Sequence, residues 1–483
     1  MIGPGDENQI VVWSQGRPPL RRGDLRLRAA QLAHRIGDRS GELVWIATAD
    51  PRATLLAVTA AMGRCRPAVV PVTVPAGGLP ALCSGGLPTL VVHDSASVAA
   101  GWARSAGIAT LDVDATTPGP DVDLRAGSIG LWTSGSTGRP RLVELQPSHI
   151  EAAVTGVIGI LGLSPLDISL GIAPLDHTLG LLTSAFAALA AGGGVVLAPG
   201  GSVSSLRHLC AQAPPTWCAA APTAMRLLPA IGDLPALRFL RTSGAGMPPD
   251  LAERLENRYG VPAVNAYAMT EAPGEITSQP LVRAASRRSG SVGVPTLSRV
   301  EIRPADVAAG PDPDIGTVWV SGSNILTGSA DGRLNTGDLG YLTTDGELVL
   351  TGRLDDVVNR GGEKISPHWV ETVTAAHPDV AECAAFPLPQ ATGDTLLGLA
   401  VVLRGPTDER TVRHYLAGRL SPAALPHRIY IVPQLPRSAR GKLTRRLLAV
   451  QLGLVASTPP DPQAHHQPPG HSTTGTRSKP RKT

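Results

Sequence analysis

Aromatic side chains are scarce in this chain of 483 residues: seven Trp, five Tyr and three Phe come to 3%. The core is therefore expected to be built from Ala, Val and Leu. Cysteine is scarce as well. Cys65, Cys83, Cys210, Cys218 and Cys383 are scattered and form no Cys-x-x-Cys pair. That spacing disfavours a disulfide scaffold and a thiolate metal site, and points to buried free thiols in a reducing compartment. No apolar leader is visible, since Asp6 and Glu7 stand near the start, so a secretory signal is not expected. One uncharged stretch, Thr178 to Pro199, could be mistaken for a membrane span. It is broken by Gly192-Gly193-Gly194 and reads instead as a buried helix, "LLTSAFAALAA", followed by a strand, "VVLA". A cytoplasmic protein with no membrane span is the expectation. Net basic charge is small too, with 43 Lys and Arg against 39 Asp and Glu. The net charge is +4, and most of it sits in the last stretch, where Arg477, Lys479, Arg481 and Lys482 face only Asp461. A nearly neutral body argues against a nucleic-acid partner.

What the chain has in quantity is turn-forming residues, Gly 54 and Pro 45, and a length too great for one core, which suggests two or three domains. Up to about residue 350, apolar strand-like runs alternate with Ala/Leu-rich helical stretches, as in "ELVWIAT", "PRATLLAVTAAMGR", "PAVVPVTV". This rhythm predicts an α/β fold with layers around largely parallel sheets. After residue 290 the strands shorten and turn signals multiply. "TDGE" between two apolar runs is a hairpin signal. From Arg353 a charged, Gly-containing segment leads into another small α/β pattern that ends near Leu454. The expected domains are 1–352 and 353–456, with a boundary close to Asp355. The residues 457–483 are almost devoid of apolar side chains and are expected to be a disordered tail. No internal repeat is visible.

Five short stretches carry the chemistry. "LWTSGSTGRPRLVEL" (131–145) ends an apolar run in Ser, Thr and Gly and then places Arg139 and Arg141. Backbone N–H groups, hydroxyls and cations can wrap a phosphate there, although a Ser/Gly-rich surface turn would read the same. No Gly-Lys-Ser/Thr closes the stretch, so it is not a Walker A loop. "NAYAMTEAPG" (265–274) sets Thr270-Glu271 at the end of an apolar run. "NTGDLGYL" (335–342) holds Asp338 between glycines. "GRLDDVVNRGGEKISP" (352–367) follows, and "LPRSARGKLTRRLL" (435–448) puts Lys442 after a glycine. Each alone reads equally well as a cap, a turn or a solvated face.

In this order and spacing, the five stretches resemble the adenylate-forming superfamily of acyl-CoA synthetases, luciferases and the adenylation domains of peptide synthetases. The resemblance runs from about residue 10 to 452. It implies a large N-terminal domain of layered α/β subdomains plus a β-barrel-like subdomain, and a small mobile C-terminal α/β (α+β) domain. It also implies the chemistry: a carboxylate attacks the α-phosphate of ATP, giving an acyl-adenylate and pyrophosphate, and a thiol then displaces AMP. On that resemblance Thr133, Ser134, Gly135, Ser136, Thr137 and Gly138 would hold the leaving phosphates, with Arg141 adding charge. Tyr267 would lie against the adenine, with Gly244, Ala245 and Gly246 opposite. Thr270 would bond the α-phosphate and Glu271 would hold Mg²⁺. Asp338 and Arg353 would take the ribose. Lys442 would bridge the substrate carboxylate and the α-phosphate, Lys364 would lie near the nucleotide, and Asp355 would be the hinge. Gly361 and Gly362 would line the pantetheine tunnel after the small domain rotates.

Two positions depart from the usual pattern. The loop's common Pro-Lys-Gly is Pro140-Arg141-Leu142, and the usual Tyr-Gly is Tyr267-Ala268. Neither removes a charged catalytic group. His177 in "PLDHTLG" stands where acyl-CoA synthetases carry a histidine beside the acyl pocket, and "GGEKISP" resembles the same branch. The residues that would line the pocket, Ala219, Ala220, Gly244, Ala268, Met269 and Gly274, are small and apolar. They favour an uncharged acyl or aryl chain, unless Arg226 or Arg241 faces the pocket. The expected acceptor is free coenzyme A, on a rim to which Arg360, Arg437 and Arg440 would contribute. A stand-alone enzyme that loads a phosphopantetheine carrier protein and a degenerate nucleotide-binding homologue are the alternatives. A monomer or homodimer is expected.

Overall fold

The computed structural model describes residues 2–74, 76–115, 122, 124–133, 140–282, 288, 290–307, 314–326, 331–360, 363–389, 395–436 and 445–454. Ser134, Gly135, Ser136, Thr137, Gly138, Gly361, Gly362, Arg437, Arg440, Lys442 and the tail lie outside the described residues.

Two large sheets form the N-terminal part. The first runs Ala109–Asp112, Leu90–His93, Leu43–Ala47, Arg66–Val69, Ile129–Thr133 and Arg141–Leu145. It is parallel throughout except for its last pair, Ile129–Thr133 against Arg141–Leu145. The second has nine strands. Its middle is parallel, from Ala263–Met269 through Phe239–Thr242, Trp217–Ala220, Ile168–Gly171 and Gly194–Leu197 to Ile10–Ser14, and antiparallel pairs extend both ends. Continuous apolar runs such as "LVWIA" suit strands covered on both faces. One buried cluster, including Val44, Ile129, Ile150, Leu181 and Val195, joins both sheets through the helices between them. This core is aliphatic, as the composition requires. The main aromatic island is Trp45, stacked 5.2 Å from Trp102 and edge-on to Trp132.

The buried helix expected after His177 differs in its winding. Leu179–Phe186 is a π-helix that passes into the short α-helix Ala187–Ala190. Within it the backbones come close: a Cβ on Gly180 would stand 2.1 Å from the Pro174 carbonyl oxygen, so only glycine fits there. The strand Gly194–Leu197 follows as expected.

The barrel-like subdomain is a four-stranded antiparallel sheet, Arg299–Pro304, Gly316–Ser321, Leu334–Leu342 and Leu348–Arg353. It packs Val318, Val320 and Leu348 onto Tyr267, Ala272 and Ile276 of the second large sheet. The "TDGE" turn closes through the Thr343 N–H on the Glu347 carbonyl at 2.9 Å, with Gly346 at φ +79.

From Arg353 the chain passes through a short turn, Leu354–Asp356, into a second unit. This holds the pair Val358–Arg360 and Glu363–Ile365, the sheet Val380–Pro389, Thr395–Leu403 and Arg428–Ile431, and helices Pro367–Ala375, Glu409–Ala417 and Arg445–Gln451. It has its own core around Ile365, Val370, Leu397, Leu399 and Leu416. The five cysteines are free thiols, three buried and two half-buried. Burial pushes the Cys65 thiol up to about 12 and the Cys210 thiol up to about 11, so neither is a ready thiolate.

Candidate active site

The site is organised by one hairpin. Ala263–Met269 and Ala272–Ser278 pair antiparallel, and Thr270-Glu271 form the turn between them. A turn at the edge of a parallel sheet brings side chains to the C-terminal end of the strands, where open α/β sheets bind ligands. Glu271 is only 16% exposed in its side chain, yet it pairs with Arg141, which is 63% exposed and starts the strand Arg141–Leu145 of the other large sheet. The pair therefore closes the mouth between the two sheets. Thr133 lies directly opposite Arg141 in the ladder, and its hydroxyl donates to the Arg141 carbonyl at 3.3 Å. The described ends of the Ser/Gly-rich loop thus converge on the Glu271 turn.

A second cluster grows from the same hairpin. The Tyr267 hydroxyl donates to Asp338, and Arg353 Nη1 donates to the other oxygen of Asp338 at 3.0 Å. Asp338 and Arg353 are direct partners across neighbouring strands. Tyr267 is 8% exposed, and burial first, then the Asp338 charge, pushes its phenol well above the usual range. It stays neutral and serves as a donor. The Gly244 to Gly246 turn is exposed just after the strand Phe239–Thr242, with Gly244 at φ +82. His177 lies on the segment entering the π-helix, its carbonyl accepting from the Leu181 N–H at 2.9 Å. Its Nε2 stands 3.9 Å from the carboxylate of buried Asp176.

Lys364 pairs with exposed Asp306 at 3.4 Å rather than with either cluster. Arg360 is also committed, because its Nη1 donates to the carbonyls of Ala423 at 2.7 Å and Leu425 at 2.9 Å. These bonds fix its position without cancelling its charge. Arg226 is exposed. Arg241 lies on the same sheet face as Phe239, the face covered by Val157 and Leu161, and its cross-strand partner is Ala219. It therefore lies beside Ala219, one of the residues expected to line the pocket, but not as a free cation. Arg241 and Glu275 are both 0% exposed, with Nε 2.6 Å from Oε1. The approach is poorly aligned, leaving Arg241 Nη1 and both Glu275 oxygens without a well-directed partner. Burial raises the Glu275 carboxyl, and Arg241 pulls it part of the way back. Sequence reasoning missed Glu275 altogether. Thirty-four positions separate the two residues in sequence, and no motif links them.

Among the described residues no group of three or more His, Cys, Asp and Glu is gathered to hold a metal ion, and no helix is long and apolar enough to cross a membrane. Glu271 alone suits a hard cation that arrives with phosphates, and it already binds a positive group.

Residues 44–329 match the AMP-binding enzyme family, and residues 369–442 match the AMP-binding enzyme C-terminal domain. The chain belongs to this family. It falls in the acyl-CoA synthetase branch of the adenylate-forming superfamily and is an AMP-forming acid–thiol ligase. Relatives of this AMP-binding enzyme include the oxalate–CoA ligase of Arabidopsis thaliana, 33% identical over 345 residues, or 67% of each chain. The sulfoacetate–CoA ligase of Cupriavidus necator is 31% identical over 354 residues, covering 69% of this chain and 68% of that protein. Among solved structures, ATP-bound MatB from Rhodopseudomonas palustris superimposes with a TM-score of 0.80 at 23% identity, covering 92% of this chain and 96% of that one. The o-succinylbenzoate coenzyme A synthetase of Bacillus subtilis with ATP and magnesium gives 0.78 at 24% identity, over 91% and 96%. These likenesses speak for the fold over the shares of the chain that they cover.

Proposed function

We propose that this enzyme activates a small carboxylic acid with ATP and transfers the acyl group to coenzyme A. The observation that carries the reading is the single hairpin that joins both clusters, since Tyr267 engages Asp338 and Arg353 while Glu271 engages Arg141. Nucleoside and phosphate chemistry then meet within five residues of chain. Asp338 accepts the ribose hydroxyls, with Arg353 beside it. Thr270 donates to the α-phosphate. Glu271 is the residue that would hold Mg²⁺, which supplies charge neutralisation at the phosphates. Arg141, released from Glu271, turns to the leaving phosphates, and its fork suits two oxygens at once. Lys442 stabilises the charge that builds between the attacking carboxylate and the α-phosphate. The unit from residue 353 onward turns about Asp355 to exchange Lys442 for the Gly361-Gly362 loop, because one domain cannot present both to one site at the same time.

The acid is small and carries no second strong negative charge. Ala219 is small and apolar, and Glu275 pairs with Arg241, the cation that lies across from it. The named relatives act on oxalate and sulfoacetate, so a dianionic acid is the second reading, and Arg241 is the residue that would favour it. Two experiments test this. Pyrophosphate release is measured over a panel of monocarboxylates, oxalate and sulfoacetate. The preferred acid is then offered free coenzyme A and holo-carrier proteins, with products followed by mass spectrometry. A saturable preference for a short monocarboxylate and acylated coenzyme A support the proposal. Strong preference for a dianion, or acyl loading of a carrier with coenzyme A unacylated, overturns the corresponding part.

A further inference from the structure

The short turn Leu354–Asp356 is held by ion pairs on both sides. Toward the N-terminal part, Arg353 Nη1 donates to Asp338 at 3.0 Å. Toward the C-terminal part, Arg445 Nη1 donates to Asp356 at 2.9 Å. The remaining nitrogens of Arg445 go to Glu371, from Nη2 at 2.9 Å to each oxygen and from Nε at 3.2 Å to Oε1. Glu371 is itself fixed, because Oε1 also accepts the Ala385 N–H at 2.9 Å. Arg445 therefore ties together four pieces: the turn, helix Pro367–Ala375, strand Val380–Pro389 and its own helix Arg445–Gln451. That last helix is seated by Leu448 and Ala449 against Ala384, Phe386 and Leu388. Arg445 is 23% exposed in its side chain and Glu371 11%, so water competes little for this clamp. Between the two anchors, Leu354 and Asp355 are exposed.

We propose that Arg445 is a positioning residue that, with Glu371, holds Asp356 to the C-terminal unit and so confines the pivot to Leu354 and Asp355. The inference rests on the reading above, in which that unit rotates and Lys442 serves adenylation. A pivot of two residues turns the unit through one path, whereas a longer slack segment would let it wander. Arg445 lies three residues after Lys442, so it is the nearest described anchor for the segment that carries the lysine. The face used for the thiol step is tethered differently. Arg360, next to Gly361, is pinned to the carbonyls of Ala423 and Leu425 without Arg445. Loosening the clamp should therefore hurt adenylation and spare the thiol step.

The test separates the two half-reactions in the full chain. Acid-dependent ATP–pyrophosphate exchange reports adenylation, and synthetic acyl-adenylate plus coenzyme A reports thioester formation. The variants are R445Q, R445K, D356N and K442A. R445Q should lower exchange ten- to a hundredfold with little change in the KM for ATP, as expected when a catalytic group is misplaced from a distance. Thioester formation should stay within about twofold, because its loop keeps its own tether. R445K should recover part of the exchange, and D356N should show the same asymmetry more weakly. Equal loss in both half-reactions, or wild-type exchange in folded R445Q or D356N, overturns the proposal. Should R445Q fail to fold, D356N decides, since Asp356 is more exposed and can be changed alone. K442A keeps the two ideas apart: full exchange in K442A sinks the underlying reading, whereas a dead K442A beside a normal R445Q sinks the clamp alone.

Discussion

Glu271 and Glu275 stand four residues apart on one hairpin, and each pairs with an arginine, but the two pairs could hardly be less alike. Glu271 meets Arg141 at an open mouth, with the arginine 63% exposed. Glu275 meets Arg241 in complete burial, both at 0% exposure. An exposed pair is worth little to the fold and can be exchanged for a ligand. A buried pair is costly to break, because whichever partner remains is left as an uncompensated charge. The same two residue types therefore make an exchangeable pair at the turn, which the proposed function gives to the nucleotide, and a fixed pair further along the strand.

Breaking the buried pair should have the largest effect. R241M leaves Glu275 alone and should cost about 3–5 kcal/mol in denaturant unfolding, whereas R241M/E275L should recover most of that loss. The deficit should also depend on pH. Burial already raises the Glu275 carboxyl, and loss of Arg241 raises it further. The folded variant then prefers the protonated acid, so its deficit is full at neutral pH and shrinks as pH falls toward the ordinary glutamate value of about 4.3. A deficit that stays constant between neutral and acid pH would show that the charge is not the cause.

Removing the other glutamate should strike catalysis instead. E271Q should lower acyl-adenylate formation by roughly 10²–10³-fold, the usual cost of losing one electrostatic stabiliser, with an unchanged unfolding transition. The smallest effect is expected from Arg141. R141Q should change stability by less than about 1 kcal/mol, because the pair is exposed. It should raise the KM for ATP several-fold, and R141K should restore most of the loss. A large drop in stability for R141Q would mean that the mouth pair is structural and the contrast between the two glutamates is false.

Much of the mouth was legible beforehand, and the buried pairing was not. Thr270-Glu271, Asp338 and Arg353 could be singled out because short motifs carry them. The structure places Asp338 and Arg353 opposite each other on neighbouring strands. The layered α/β arrangement followed from period and composition, which act locally along the chain. The contact between Arg141 and Glu271 spans 130 residues and two sheets, and only packing decides it. Arg241 is visible in the sequence as a residue able to change the character of the pocket. Its neutralisation was hidden, because strand order alone brings Glu275 to its side. The π-helical winding of Leu179–Phe186 was equally hidden, since apolar content says that a helix is buried and not how widely it turns. Arg360 adds a detail that its place beside a Gly-Gly loop does not reveal: backbone carbonyls hold its Nη1 and fix where its charge sits.

The central claim is that the hairpin turn at Thr270-Glu271 is where ATP is turned into an acyl-adenylate. The most direct test is acid-dependent ATP–pyrophosphate exchange, with and without Mg²⁺, for the wild-type chain and E271Q at matched thermal stability. The account predicts exchange that requires both the acid and Mg²⁺ in the wild type and falls by roughly 10²–10³-fold in E271Q. Wild-type exchange in folded E271Q, or nucleotide binding with no exchange under any acid, would contradict it.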